Sequence, residues 1–144
     1  MTARPLVYLA APVRPTAAEI AHAKACGAIG DYAVELATSH NVERAWRWFV
    51  WLRKSWPNVT FVAPWIAQIL MGDDDSDPAQ RERGLLDCET AVRRCDGLVL
   101  VGGRLSDGMR RESAVARTVV DLLWLSAEPP AGPPSFEIDA WRLA

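Results

Sequence analysis

The stretch Asp96-Gly97-Leu98-Val99-Leu100-Val101-Gly102-Gly103-Arg104-Leu105-Ser106-Asp107-Gly108-Met109-Arg110-Arg111-Glu112 decides how the rest of the chain is read. Gly97 to Val101 is a short unbroken apolar run, the pattern of a strand covered on both faces. Gly102 to Leu105 is a loop, and Ser106 or Asp107 caps a helix that runs to about Arg117. Upstream, Asp77-Pro78 opens a helix with Asp as cap and Pro at the first helical position, reaching about Arg94. Before it, Val59 to Ala63 reads as another buried strand. Asn41 reads as the N-cap of a helix whose apolar face is Ala45, Trp48, Phe49, Leu52 and Trp56, ended by Pro57-Asn58. Leu6 to Ala10 is the first strand, closed by Pro12 and Pro15. Downstream, Val119 to Leu122 is a fourth strand, and Pro129 to Pro134 links to a C-terminal tail. Strands alternating with helices predict a single α/β domain over residues 1–144. Its parallel sheet has four or five strands, with helices on both faces.

Residues 14–40 do not fit that alternation. Thr16 and Glu19 have capping-box spacing, so a helix starts near Ala17. Gly27 and Gly30 interrupt it, and a second short helix follows Asp31. The segment is long for a strand-to-helix loop. A lid, a dimer element or an extra helical hairpin would each account for it. The hairpin is favoured because the segment carries no strong chemical pattern.

Composition bounds the function. Of 144 residues half are hydrophobic and 24% charged, the balance of a folded globular chain. A domain this size buries roughly 68% of its unfolded surface. The net charge of −2 argues against a general nucleic-acid binder. No apolar run approaches the ~20 residues of a membrane span. Met1-Thr2-Ala3-Arg4-Pro5 leads into an apolar run too short for a signal peptide. Cys26, Cys88 and Cys95, without a CxxC pair, read as reduced thiols of a cytoplasmic protein with no disulfide framework or zinc site. Asp73, Asp75 and Asp77 hint at a calcium loop, but Pro78 and Gly84 replace the glycine and glutamate it requires. No GxGxxG or GK[ST] occurs, and His22 and His40 lack a metal-type grouping. The seven tryptophans read mostly as core. A phospho-receiver domain would want acidic residues after the first strand, where this chain has Ala10-Ala11-Pro12-Val13-Arg14.

Parallel sheets bind ligands beyond the C-terminal ends of their strands. That places any site after Ala10, Ala63 and Val101. Gly102, Gly103, Ser106 and Gly108 form a glycine-bearing loop that opens a helix and offers backbone N–H groups to an anion; an ordinary helix cap is the competing reading. Glu112 shares one helical stripe with Met109, Val115, Ala116 and Val119, the side turned toward the sheet. A carboxylate there is costly without a partner or a task. It is either functional, or it snorkels or pairs with Arg104. Asp87 lies near the level of the crevice, yet Leu85, Cys88, Val92 and Cys95 form the buried stripe, and Asp87 is turned about 100° from Cys88. It is either exposed or catalytic. Tyr8 lies inside the first strand near the crevice, and Arg14 follows that strand's end, where it could meet a phosphate.

Together these segments resemble the nucleoside 2-deoxyribosyltransferase superfamily, which includes 2'-deoxynucleoside 5'-phosphate N-hydrolases. Val7-Tyr8-Leu9-Ala10-Ala11-Pro12-Val13-Arg14 looks like the family's opening strand and loop. Asp87 through Val101 looks like its aspartate-bearing helix and central strand. Ser106-Asp107-Gly108-Met109-Arg110-Arg111-Glu112 matches S-x-G-x-x-x-E. The resemblance covers roughly residues 5–12 and 41–122. It implies a flavodoxin-like sheet, a homodimer or higher homo-oligomer, a nucleoside or nucleotide as ligand, and no cofactor. It implies Glu112 as nucleophile, Asp87 as the acid that protonates the departing base, and Tyr8 as the group orienting Glu112. Ser106, Gly108 and Arg14 would hold the 5'-phosphate or 5'-hydroxyl. The chain departs from the family in two respects: its aspartate normally stands where this chain has Cys88, and Ala10, Ala11 and Pro12 replace its small glycines.

Overall fold

The computed structural model describes residues 3–72 and 76–138. Asp73 and Asp75 of the acidic loop, and residues 139–144 with Trp141, lie outside the described residues. Among those described there are four strands: β1 (Leu6–Ala10), β2 (Thr60–Val62), β3 (Gly97–Leu100) and β4 (Val119–Asp121). The helices are α1 (Ala17–Ala25), α2 (Asp31–Ser55), α3 (Trp65–Leu70), α4 (Pro78–Arg94) and α5 (Asp107–Val115). The sheet is all-parallel with order β2-β1-β3-β4, an α/β architecture of the flavodoxin-like kind.

β1 lies inside the sheet because its residues are apolar to either side of the pleat. Val7, Tyr8, Leu9 and Ala10 are all buried. Tyr8 stands opposite Val62 on one side and Leu98 on the other. The connection from β1 to β2 runs one way along the sheet, and those from β2 to β3 and β3 to β4 run the other. With right-handed crossovers, α2 therefore covers one face, and α4 and α5 the opposite one. Loops leaving β1 and β3 diverge, which makes the C-terminal ends of these two strands the switch point of the sheet.

α2 differs from the sequence expectation. It is one continuous helix, where a short helix after Asp31 and a second one capped by Asn41 were expected. No glycine or proline stands between Asp31 and Trp56, so nothing in the backbone stops it. Asn41 is no cap. It is fully buried, its Nδ2 donates to the Val13 carbonyl (3.0 Å), and its Oδ1 accepts from Arg44 (3.2 Å). The helical hairpin expected over residues 14–40 is present, with the start of α2 as its second arm. Thr16 and Glu19 form the capping box: Thr16 Oγ1 accepts from the Glu19 N–H (3.1 Å), and Glu19 Oε1 from the Thr16 N–H (2.8 Å). The hairpin closes on Ala23, Ala28, Ala33 and Ala37, whose small side chains let the two arms approach.

Other boundaries shift as well. α3 had no counterpart in the sequence reading, because six residues are too few to display a helical period. α5 stops at Val115, so Ala116 caps it and Val119 belongs to β4; the buried stripe of α5 is Met109 and Glu112. Residues 122–138 are not a loose tail. Trp48 Nε1 donates to the Ala127 carbonyl and Trp51 Nε1 to the Gly132 carbonyl, both at 2.9 Å. Phe136 packs against Trp56 and Trp124, with ring centroids 6.1 and 5.5 Å away. The tryptophans of α2 thus hold the C-terminal segment. Trp48, Trp51 and Trp65 are buried, while Trp46 and Trp124 are exposed. Among the described residues no helix is long and apolar enough to cross a membrane. All three cysteines are free.

Candidate active site

The pleat of β1 turns Tyr8 toward α4 and α5, on the face opposite α2. There its ring is fully buried, beneath Cys88 of α4 and Glu112 of α5. Ser106 places Glu112 by starting α5 where it does. Its Oγ accepts from the Met109 N–H (3.3 Å), which sets the helical phase and turns Met109 and Glu112 inward. Gly108 lies over the carboxylate. A Cβ added there would stand 3.8 Å from Glu112 Oε1, 4.0 Å from Ser106 Oγ and 3.6 Å from Leu85 Cδ2. A side chain at that position would rest directly against the carboxylate.

Glu112 is 8% exposed, and its Oε2 is buried with no hydrogen-bond partner. The Tyr8 hydroxyl is likewise buried and unpartnered. The two lie close enough to feel each other's charge, yet neither closes a hydrogen bond of good geometry. Unpaired buried polar atoms are rare in folded proteins, because each forfeits its hydration without compensation. Here two of them sit side by side at the switch point, where a ligand could supply the missing partners.

Burial dominates the electrostatics. It pushes the Glu112 carboxyl up to about 7; the Tyr8 hydroxyl opposes the rise, and the Glu89 charge adds to it. Tyr8 is held far above the ordinary range of a phenol by burial, then by the charges of Glu112 and Cys88. The Cys88 thiol is raised by burial, against the pull of the Tyr8 hydroxyl and the Gln68 amide. A carboxyl raised in this way titrates toward neutral pH, the range in which acid–base and nucleophilic groups work.

The other expected site residues have different surroundings. Asp87 is exposed on the outer side of α4, and the α4 side chain facing Tyr8 and Glu112 is Cys88. One residue is a 100° turn, more than the alignment of a helix against a strand by length can resolve. Arg14 is exposed, and its guanidinium has no hydrogen bond or ion pair among the described residues. Its carbonyl accepts from Arg104, which also binds Glu19, both at 2.9 Å. Arg104 is therefore engaged away from Glu112. Gly102 and Gly103 have φ of +101° and +79°, a turn that other residues rarely adopt. Each approaches protein rather than open space. A Cβ on Gly102 would meet Pro12 Cδ at 2.6 Å, and one on Gly103 would meet the Ala127 nitrogen at 2.9 Å. The loop thus closes the switch point on that side.

Gln68 had no sequence signal, because α3 itself had none. Its Nε2 donates to the Gly84 carbonyl (3.1 Å) and contacts Cys88 Sγ (3.5 Å). Gly84 permits this approach, since a Cβ there would lie 3.0 Å from Gln68 Oε1. Arg111 fixes the rim by pairing with Glu82 and Glu89 of α4. Trp65 donates to the Leu9 carbonyl (2.9 Å) and seats α3 at the end of β1. No protein-family model, curated protein or solved structure matches the chain.

Proposed function

We propose that the chain cleaves the N-glycosidic bond of a (deoxy)nucleoside or its 5'-monophosphate and passes the sugar to water or to a second base. The observation that carries this reading is Glu112: a buried carboxylate with one unpartnered oxygen, beside the Tyr8 hydroxyl at the switch point. The resemblance of Ser106 to Glu112 to the S-x-G-x-x-x-E motif supports it. In this reading a Glu112 oxygen attacks the anomeric carbon as the bond to the base breaks, and the electron pair of that bond leaves with the base. Tyr8 orients the carboxylate. The acceptor then attacks the same carbon, and the ester reverts to the carboxylate. Ser106 and the first backbone N–H groups of α5 receive the 5'-hydroxyl or 5'-phosphate, an anion-binding arrangement that Gly108 leaves accessible. No cofactor is needed for these steps.

The same reading places the protein in the cytoplasm as a homodimer or higher homo-oligomer. Its free thiols and the exposed Ile29, Tyr32 and Trp46 support that assignment. Light scattering tests the oligomeric state. The reaction is tested by incubation with a panel of nucleosides and 5'-monophosphates, with and without a second free base, and chromatography of the released base. Release that vanishes in Glu112→Ala is the expected result.

One observation favours a second reading, a non-catalytic nucleotide-binding or regulatory module. The α4 side chain that faces Glu112 is a thiol rather than a carboxyl group. Nucleotide binding without turnover by the folded protein would select this reading.

A further inference from the structure

We infer that Cys88 restricts the site to N-glycosides whose base departs without first taking up a proton. The inference rests on the glycosidase reading above. The groups that meet Glu112 are the Tyr8 phenol, the Cys88 thiol and, at the rim, Glu89. Tyr8 and Glu112 are both more than nine-tenths buried and end in unpartnered oxygens, so the thiol stands among groups that await a ligand. None of the neighbours gives up a proton readily. Burial makes the phenol and the thiol weaker acids than in water. Glu89 is held in an ion pair with Arg111. Gln68 turns its amide NH2 toward Cys88 Sγ, and an amide is no acid. Asp87 is exposed on α4, and its charge adds to the rise of the Cys88 thiol.

The chemistry of the leaving base follows. When the C1'–N bond breaks, its electron pair goes to the ring nitrogen. An ordinary purine must then be protonated or depart as an anion. A purine methylated at N7 already carries a positive charge, and the departing pair neutralises it, so no proton is required. Glu112 forms the C1'–O bond. Water later attacks C1', the carboxylate is regenerated, and the proton of that water goes to solvent. A missing general acid costs about 10²–10⁴-fold for bases that need one, and little for those that do not.

The test measures base release from 2'-deoxyguanosine and its 7-methyl form, and from 2'-deoxyuridine and its 5-fluoro form, whose base is the better leaving group. Each is supplied as nucleoside and as 5'-monophosphate. Every rate is divided by the uncatalysed rate in the same buffer, which removes intrinsic lability. The expected result is a rate enhancement about 10²-fold larger for the 7-methyl compound than for its parent, with the pyrimidine pair differing in the same direction. Cys88→Asp, which puts a carboxyl group at that position, is expected to narrow the gap toward unity. Should that variant fail to fold, the wild-type ratios decide by themselves. Equal enhancements within each pair would overturn the inference and leave the glycosidase reading standing. Release from none of the compounds would overturn the reading and the inference with it.

Discussion

Glu112 carries a cost that the fold bears without a visible return in stability. Its carboxyl has a higher pKa in the folded chain, about 7, than in the unfolded one. The folded state therefore binds the proton more tightly, and stability from this group is greatest below pH ~4.5 and is lost as pH rises to about 7. Glu112→Gln removes the titration. We expect the variant to gain on the wild type by about 3 kcal/mol between pH 5 and pH 8, measured as the difference in urea unfolding free energies. A gap independent of pH would contradict the burial argument. Activity should move the other way: base release by the wild type should rise with pH through about 7, as Glu112 ionises. Gly108→Ala separates fold from function. Its Cβ meets nothing closer than 3.6 Å and stands 3.8 Å from Glu112 Oε1. Stability should rise by up to about 1 kcal/mol, from helix propensity, while activity falls because the space over the carboxylate is filled. Ser106, Gly108 and Glu112 were legible in the sequence because they share one short helix, where spacing fixes direction. The side chain facing them across the crevice was legible in part: the stripe of Leu85, Cys88, Val92 and Cys95 turned Cys88 inward and Asp87 away, as found. Only the resemblance favoured Asp87 as the acid.

At the level of elements, the sequence read well where an element carries its own punctuation. The capping box of α1, the Asp77-Pro78 start of α4 and the apolar run of β3 are local signals, and all three are found where expected. It misread α2 because Asn41 has the chemistry of a cap and the position of a tether. Its amide ties the middle of α2 to the loop after β1 through the Val13 carbonyl. Asn41→Ala would leave that carbonyl unpaired in a part-buried setting and should cost about 1–3 kcal/mol by chemical denaturation. A cost near zero would mean that water replaces the amide. The loop of Gly102 and Gly103 was read as open to a ligand because its true neighbours, Pro12 and Ala127, are remote in sequence. Glycine at positive φ is equally consistent with either use.

For the whole molecule, the tryptophans of α2 explain how a sheet of four short strands is covered on that face. Trp48 is fully buried and binds the Ala127 carbonyl, so one side chain joins α2, the sheet and the C-terminal segment. Trp48→Ala should cost about 3–5 kcal/mol and loosen residues 122–138, read as loss of hydrogen-exchange protection there. The same segment packs on Gly103, and its Glu128 is held by Arg44 and Arg47. The C-terminal segment thus belongs to the wall that closes one side of the switch point, and the proposed reaction centre is Tyr8 and Glu112. The most direct measurement on that centre is the mass of the protein after rapid acid quench during a single turnover of a nucleoside or its 5'-monophosphate. The account predicts one sugar added to the peptide that contains Glu112, and none in Glu112→Gln. Full release of the base with no sugar on that peptide at any time point, or with sugar on another side chain, would contradict it.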